Sequence, residues 1–210
     1  VSFEKIEKNG LSFLKTGTIE QPILQKKGDD LRIDWGYFYL SGKSEKTATM
    51  NFGDYWNTKK SFQTTGKISS VQPKMLPKNM TKQMTVLAYS KDLGKISSTK
   101  TADFIMLGYD DIYSIQYFGV NLRPYWNRKG DKNICDLFST AAKEYKSLIK
   151  ACNKFDNSLM KEAIKSGGKE YAELCALAYR QSVSAHKLVQ SPNGDLLFLS
   201  KENYSSGSIA

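Results

Sequence analysis

Short alternations of apolar and polar residues fill roughly the first 125 residues, in which β-branched and aromatic side chains dominate. Gly, Asn, Asp and Pro interrupt them at intervals of about 8 to 15 residues, as turns interrupt antiparallel strands. The pattern predicts strands over residues 31–40, 84–90, 101–109 and 113–118. Residues 51–77 show weak periodicity, which predicts irregular structure there with a short strand over 67–71 at most.

The later part of the chain follows a helical period. From residue 134 to residue 159 apolar side chains recur every three or four positions, which predicts a long amphipathic helix. Asn133 is placed to cap this helix, because its side chain can accept a hydrogen bond from a backbone N–H of the first turn. A Ser-Gly-Gly run at 166–168 ends it, and a second helix is predicted over 169–189. Two helices joined in this way form an antiparallel αα-hairpin.

Both predicted helices carry apolar stripes too broad to be buried by a single neighbour. Further structure is therefore expected to cover the hairpin, and the segment 196–210, which has no predicted helix or closing strand, is expected to continue. The pattern of apolar and polar residues changes at Pro124, which ends the strand-like region. The residues predict an α+β chain with a β-rich antiparallel module over 1–125 and a helical hairpin over 126–210.

Composition and charge narrow the class of protein. Hydrophobic residues make up 40% of the chain and charged residues 25%, as in ordinary globular proteins. No apolar run approaches the ~20 residues that cross a bilayer, so no membrane span is expected. The formal net charge is +10, but most basic residues are lysines spread along the chain, which argues against nucleic acid as a partner.

Cysteine and histidine usage does not favour a metal or cofactor site. Cys135, Cys152 and Cys175 have no CxxC spacing and fall in predicted helices, so buried unreactive thiols are expected. His186 is the only histidine, and no second ligand stands at helical spacing from it. The sequence has no glycine-rich phosphate loop and no GxSxG motif. We therefore expect neither a metal nor a cofactor.

Several segments of the chain carry a specific resemblance. The most distinctive are residues 171–181 (YAELCALAYRQ), 185–189 (AHKLV) and 197–209 (LFLSKENYSSGSI), and residues 16–22, 28–37 and 109–118 agree in the same order. Together they resemble the glutaminase A family of secreted fungal and bacterial proteins. The resemblance covers most of the chain and is weakest between residues 47 and 80. The sequence departs from the family pattern at Ser206, where Asn is favoured, and at Ala210, where Gly is favoured.

The resemblance implies a β-sandwich module followed by a six-hairpin (α/α)6 toroid, a plan also used by several glycoside hydrolases. This chain would hold the later part of the sandwich and the first hairpin. The C-terminal hairpins missing from it would be its partners within the same protein. Because the family is secreted, the resemblance also implies a secreted or periplasmic location.

Two groups of carboxylates are candidate catalytic residues. Glu202, between Lys201 and Asn203, could act as a general acid or base beside a cation and an amide donor, which suits amide or glycoside hydrolysis. The alternative is a loop whose polar side chains cap helices. Asp110 and Asp111 could supply a carboxylate pair, or they could form a turn with Asx hydrogen bonds.

The candidate substrate-binding residues are Lys201, Asn203, Arg180, Gln181 and His186. The last three would line the inner wall of the toroid, and a histidine packed at the end of a helix is the alternative for His186.

Aromatic residues offer a further alternative, a platform that stacks on sugars, formed by Trp35, Tyr37, Tyr39, Trp56, Tyr125 and Trp126. Aromatic side chains at strand spacing are usually part of a core, so Trp35 and Tyr37 are assigned to the core. Tyr125 and Trp126 are assigned to packing between the two modules.

The function that the resemblance favours is amide hydrolysis of glutamine by a glutaminase A-like extracytoplasmic hydrolase, of which this chain is a fragment. The isolated chain is expected to be inactive, because further hairpins would complete the site. Two alternatives stay open: a carbohydrate-active hydrolase of the same sandwich-plus-toroid plan, and a non-catalytic glycan-binding β-sandwich module. The expected partner is a small-molecule or glycan substrate.

Overall fold

The computed structural model describes residues 1–25, 33–68, 84–97 and 103–200. The chain divides into two compact units, Val1–Pro22 with Asp34–Asp111, and Ile23–Ile33 with Ile112–Ala210. Antiparallel sheets and one long helical segment make up the structure, which confirms the α+β class. These units are defined by contacts between residues and do not test domain boundaries along the sequence. The boundary predicted between residues 125 and 126 therefore stays a prediction.

A four-stranded antiparallel sheet forms the centre of the first unit, in the order β1 (Ser2–Lys8), β2 (Leu11–Gly17), β3 (Tyr37–Lys43) and β6 (Met106–Asp110). Asn9 and Gly10 join the first two strands with φ values of 53° and 74°. Positive φ at both central residues is the type I′ hairpin geometry, which Asn-Gly favours. Neither β1 nor β2 was among the predicted strands, although this Asn-Gly pair is a typical hairpin signal.

Two predicted strands begin later than expected, and Gly36 gives the reason for one of them. The strand predicted over 31–40 begins only at Tyr37, because Gly36 has φ 90° and turns the backbone out of the extended conformation. A Cβ atom at Gly36 would overlap the backbone carbonyl of Asp110, so only glycine fits there. The strand predicted over 101–109 likewise starts at Met106 among the described residues.

The irregular structure predicted over 51–77 is wrong for its first half. A second antiparallel ribbon pairs β4 (Ala48–Asp54) with β5 (Thr85–Lys91), which confirms the strand predicted over 84–90. Helix α1 (Tyr55–Thr65) follows β4 directly, with the Asp54 side chain accepting a hydrogen bond from the backbone N–H of Asn57 at 3.0 Å. Residues 67 and 68 are not in a strand, and the rest of the strand predicted over 67–71 lies outside the described residues.

The core of the first unit lies between this sheet and this ribbon. Leu14 and Leu40 from the sheet pack with Met50 and Phe52 from the ribbon, and Phe3, Leu87 and Tyr89 lie against this cluster. Gly42 allows the close approach, because a Cβ there would come within 2.5 Å of the Tyr89 ring. Two apolar layers therefore face each other, and a complete β-sandwich stays a prediction.

The second unit begins with a small hairpin of β7 (Ile115–Tyr117) and β8 (Val120–Leu122) and a 3-10 turn at Tyr125–Asn127. The strand predicted over 113–118 is therefore shorter than expected. The helical segment α2 (Ile134–Ala185) follows, and the Asn133 Oδ1 accepts a hydrogen bond from the backbone N–H of Asp136 at 3.0 Å. The predicted cap is confirmed.

Gly168 breaks α2 into two arms. Its φ of 82° and ψ of −175° lie outside helical values and in a region open essentially to glycine alone. Phe155 and Tyr179 are roughly 24 residues apart, and a straight helix would separate them by about 36 Å. Their ring centroids are 5.2 Å apart. The arms therefore fold back on each other as the predicted αα-hairpin, whereas the six-hairpin toroid stays a prediction.

The second arm ends earlier than predicted. Helix α2 stops at Ala185, and residues that were expected to be helical form β9 (His186–Gln190), which pairs with β10 (Leu196–Ser200). The expectation that residues after 196 lack a closing strand is therefore wrong. The turn between the strands is held by a hydrogen bond from the Gly194 backbone N–H to the Ser191 carbonyl at 3.0 Å.

The structure also bears on the expectations about membrane-spanning helices and about the burial of the cysteines. In the part of the chain that the structure describes, no helix has the length and apolar character needed to span a bilayer. Of the three cysteines, Cys135 is buried as expected, but Cys152 is exposed and Cys175 is half-buried. The expectation of three buried thiols is wrong, because Cys152 lies on an exposed stretch of the first arm of α2.

Candidate functional site

The predicted site residues fall into three groups. Asp110 and Asp111 belong to the first compact unit, whereas Arg180, Gln181 and His186 belong to the second. The third group, Lys201, Glu202 and Asn203, lies outside the described residues. The catalytic role of the carboxylates and the binding role of their neighbours stay predictions.

Asp111 occupies a buried corner after β6. Only 2% of its surface is exposed, and its backbone carbonyl accepts a hydrogen bond from the Trp35 indole Nε1 at 2.7 Å. The Tyr109 hydroxyl in turn donates a hydrogen bond to the Trp35 carbonyl. Burial raises the pKa of Tyr109, and the charges of Asp111 and Asp34 add to this effect. The indole thus ties the end of β6 to the residues just before β3.

The aromatic residues considered for a sugar platform differ in their exposure. Trp35 is 8% exposed, which confirms its assignment to the core, and Tyr39 is also buried. Tyr37 is half-buried, with the ammonium group of Lys15 4.3 Å from the centre of its ring. Trp56 on α1 is 67% exposed, much more than the other three rings. Among Trp35, Tyr37, Tyr39 and Trp56, only Trp56 is largely exposed, so these four side chains do not offer a shared exposed platform.

A groove between the two arms of α2 is the candidate small-molecule site. Its volume is about 370 Å³. One wall comes from the first arm, and the other carries Arg180 on the second arm. We call it the inter-arm groove, and its lining residues are Asp156, Leu159, Met160, Ala176, Tyr179, Arg180, Val183 and Ser184. Apolar side chains with a few polar groups are the usual lining of a small-molecule site.

The spacing of these residues explains why they share a groove. Residues 156, 159 and 160 stand at i, i+3 and i+4 on the first arm, and residues 176, 179, 180, 183 and 184 repeat this spacing on the second. Each set therefore lies on one helical face, and the reversal at Gly168 brings the two faces together. Arg180 was among the predicted site residues, whereas Asp156 and Tyr179 were not. Helical spacing alone could have grouped each set, but not paired them.

The polar groups of the groove allow definite chemistry. Arg180 offers a permanent cation with several N–H donors, which suits a carboxylate. Asp156 offers an acceptor, and the Ser184 hydroxyl donates to the Arg180 backbone carbonyl at 2.8 Å. The groove can therefore orient a small polar molecule. Gln181 is exposed and is not among the lining residues.

His186 lies at the point where α2 gives way to β9. Its Nδ1 is 2.6 Å from the Ser182 carbonyl, and its ring stacks on Phe198 with 4.7 Å between centroids and 17° between planes. These contacts match the alternative of a histidine packed at a helix end, and a role in substrate binding stays a prediction. Among the described residues, no three His, Cys, Asp or Glu side chains are grouped so that they could hold a metal ion.

Apolar side chains remain exposed along both arms. We call the following set the hairpin apolar surface: Leu148, Ile149, Phe155, Ile164, Tyr171, Leu174, Leu177, Tyr179 and Val183. Each of them is between 44% and 61% exposed. Exposed apolar side chains in this number are typical of a surface that packs against other structure. This is the geometry expected from the broad stripes in the sequence.

Comparisons with known proteins agree with the resemblance noted in the sequence. A family model described as "Domain of unknown function (DUF5127)" matches residues 1–162, and one described as "Glutaminase A six helical-hairpin domain" matches residues 168–210. Glutaminase A from Aspergillus oryzae (strain ATCC 42149 / RIB 40) is 23% identical over 185 residues, or 85% of this chain. The chain spans 26% of the length of that relative. No solved structure matches the chain.

Proposed function

Since the chain belongs to the family defined by the domain of unknown function DUF5127 and continues into a glutaminase A six helical-hairpin domain, we propose that it is part of a glutaminase A-like hydrolase. The observation that carries this proposal is the similarity to the Aspergillus oryzae glutaminase A over 85% of the chain. The proposed reaction is hydrolysis of the side-chain amide of glutamine. The proposed location is outside the cytoplasm, in the secreted or periplasmic space, and its support is the secreted character of the family that the sequence resembles.

Hydrolysis of an amide needs a group that moves a proton and groups that hold the substrate. We assign the proton transfer to Glu202, beside the cation Lys201 and the amide donor Asn203. Asp110 and Asp111 are the second candidate pair. Substrate binding is assigned to Lys201 and Asn203 together with Arg180, Gln181 and His186. The position of Arg180 in the lining of the inter-arm groove supports its assignment.

The hairpin apolar surface supports the proposal that this hairpin is one of several. A six helical-hairpin domain contains further hairpins, and these would cover the exposed leucines and aromatic residues of α2. Their loops would also complete the site, since the inter-arm groove is open and Glu202 has no assigned second carboxylate. The isolated 210-residue chain is therefore expected to show no turnover. The β-rich unit is proposed as a module that supports the site and carries the second candidate pair, Asp110 and Asp111.

The test is ammonia release from L-glutamine by the longer protein that contains this chain. Glu202→Gln is expected to lower kcat by at least about a hundredfold, which is the usual contribution of a general acid or base. Glu173→Gln is the matched control, because Glu173 is an exposed glutamate on the second arm of α2. Full activity of the Glu202 variant would remove the assignment of that residue. Hydrolysis of a glycan in place of glutamine would favour the carbohydrate-active alternative.

A further inference from the structure

A second cavity, which the proposed hydrolase function does not use, lies within the second unit. Its volume is about 300 Å³, and it is lined by residues of β8, of the segment that follows β8, and of the turn between β9 and β10. Two arginines, Arg123 and Arg128, line this one cavity, although the whole sequence has only four. We call it the arginine cavity.

Arg123 is held rigidly from two sides. Its guanidinium lies 4.5 Å from the centre of the Tyr113 ring, and its Nη2 donates a hydrogen bond to the Tyr113 hydroxyl at 3.2 Å. Gly130 lies on another side, with φ 73°, and a Cβ there would come within 3.1 Å of the Arg123 Nε. Stacking on an aromatic ring fixes the plane of a guanidinium and leaves its edge free to donate hydrogen bonds.

Arg128 is positioned in the same manner on a different ring. Its guanidinium lies 4.2 Å from the centre of the Tyr125 ring, and its Nη1 donates to the Tyr125 backbone carbonyl at 3.2 Å. A guanidinium has five N–H donors, so both arginines keep donors that these contacts do not use. In the described ranges, neither arginine has an acidic side chain within ion-pair distance.

Both arginines carry a permanent positive charge, so an anion that enters the cavity they line is attracted by both of them. The remaining polar lining is neutral and partly satisfied. The Gln190 Nε2 donates to the Gly194 carbonyl at 2.9 Å, and the Ser191 Oγ accepts from the Asp195 backbone N–H at 3.0 Å. The cavity thus presents fixed positive charge and planar donors, the arrangement that matches a carboxylate.

We propose that the arginine cavity binds a carboxylate group, with Arg123 and Arg128 as its donors. The carboxylate has two sources: a free small acid, or an aspartate or glutamate side chain from another part of the longer protein. This site is distinct from the inter-arm groove and does not depend on the hydrolase activity. Failure of the glutaminase assay therefore leaves it intact, and failure of carboxylate binding leaves the hydrolase proposal intact.

The first experiment titrates L-glutamate into the 210-residue chain at constant ionic strength and follows the arginine side-chain Nε–H resonances by NMR. The expected result is a saturable shift of the Arg123 and Arg128 signals, with a dissociation constant on the order of 1 mM. Arg128→Lys and Arg123→Lys keep the charge but lose the planar fork, so each is expected to weaken binding about tenfold. Because Arg128 is exposed, its variant is expected to fold even where the Arg123 variant does not.

Lys129→Gln is the matched control, because Lys129 is an exposed neighbouring cation outside the lining. Its dissociation constant is expected to stay within about twofold of the parent value, since one surface charge contributes little. Equal weakening by this control would show attraction by diffuse charge and overturn the proposal. The absence of any saturable shift would also overturn it, as would binding of inorganic phosphate without binding of L-glutamate.

Repetition of the titration with the longer protein distinguishes the two sources of the carboxylate. If L-glutamate shifts the same resonances there, the cavity is open and takes a free acid. The alternative result is that L-glutamate binds the 210-residue chain but not the longer protein, and that the Arg123 and Arg128 signals of the longer protein already lie at the shifted positions. In that case a side-chain carboxylate of the longer protein occupies the cavity. Either result supports the proposal.

Discussion

The indole Nε1 of Trp35 donates a hydrogen bond to the backbone carbonyl of Asp111, 2.7 Å away and 76 positions later in the sequence. This contact joins the residues before β3 to the end of β6 in a corner where Asp111 is 2% exposed. A buried hydrogen bond of this kind fixes the position of both segments, because its loss leaves polar groups without water to replace the partner. The corner is therefore expected to be sensitive to small changes.

Trp35→Phe is expected to lower the free energy of unfolding by about 1–3 kcal/mol, since it removes a buried hydrogen bond and leaves space beside the ring. The measurement is urea denaturation followed by circular dichroism. Trp56→Phe is the control, because Trp56 is 67% exposed and its change is expected to stay within about 0.5 kcal/mol. Equal effects of the two variants would contradict a special role for the Trp35 indole.

A network of charges beside β5 predicts how stability depends on pH. The Lys91 ammonium lies 2.7 Å from a Glu45 carboxylate oxygen and forms a shorter hydrogen bond with Asp103. Lys43 lies 3.4 Å from Asp103 on another side. The hydrogen bond from Lys91 is the main reason why the pKa of Asp103 is lowered, and the bonds to Asp103 and Glu45 raise the pKa of Lys91.

The pKa of Asp103 is lower in the folded state than in the unfolded state. The ionised carboxylate therefore contributes fully to the free energy of unfolding above the unfolded-state pKa of about 4. This contribution is lost as the pH falls through the folded-state pKa. Asp103→Asn is expected to lower the free energy of unfolding by about 1–3 kcal/mol at pH 7. The difference from the parent protein should shrink as pH falls below about 4. Denaturation at several pH values measures this, with the exposed Asp131→Asn as the control. A difference that is constant with pH would contradict the ionic origin.

The reversal of α2 at Gly168 depends on a backbone conformation that a substitution can test. A Cβ at this position would meet no atom within 4 Å, so Gly168→Ala tests conformation and not space. The cost is expected to be about 1–3 kcal/mol, because φ 82° with ψ −175° is open essentially to glycine. Ser166→Ala, two residues earlier at an exposed position, should change stability by less than about 0.5 kcal/mol. No loss of stability in the Gly168 variant would mean that the hairpin does not need this conformation.

Local signals explain which parts of the fold could be predicted. Asn133 and Gly168 act on their own neighbours in the sequence, so the cap and the break of α2 were both visible. Helix α1 was missed, because the run YWNTKKSFQTT has no apolar stripe, although Asp54 and Gly66 mark its two ends. Strand β9 was missed for a different reason. Its residues also suit a helix, and its bridge from Val189 to Pro124 joins distant positions.

The candidate sites follow the same division between local and distant contacts. The residues of the inter-arm groove stand at helical spacing on each arm, but only the folded hairpin shows that Asp156 and Arg180 line one groove. Likewise Arg123, Arg128 and the ring of Tyr125 are close in sequence, whereas Tyr113 and the turn after β9 come from other segments. Sequence patterns can assign a face to each side chain, and the fold decides which faces meet.

The hairpin apolar surface allows the same substitution to be tested in two contexts. Leu174 is 61% exposed in this chain, so Leu174→Ser should change the stability of the 210-residue chain by less than about 0.5 kcal/mol. If further hairpins cover this leucine in the longer protein, the same substitution there should cost about 2–4 kcal/mol, because it then removes a buried apolar side chain and leaves a cavity. Thermal or urea denaturation of both proteins measures the difference. Lys165→Ser, at an exposed polar position of the first arm, should have little effect in either context. A leucine substitution that is equally harmless in both proteins would mean that nothing packs on this part of α2, and the proposal of covering hairpins would then fail.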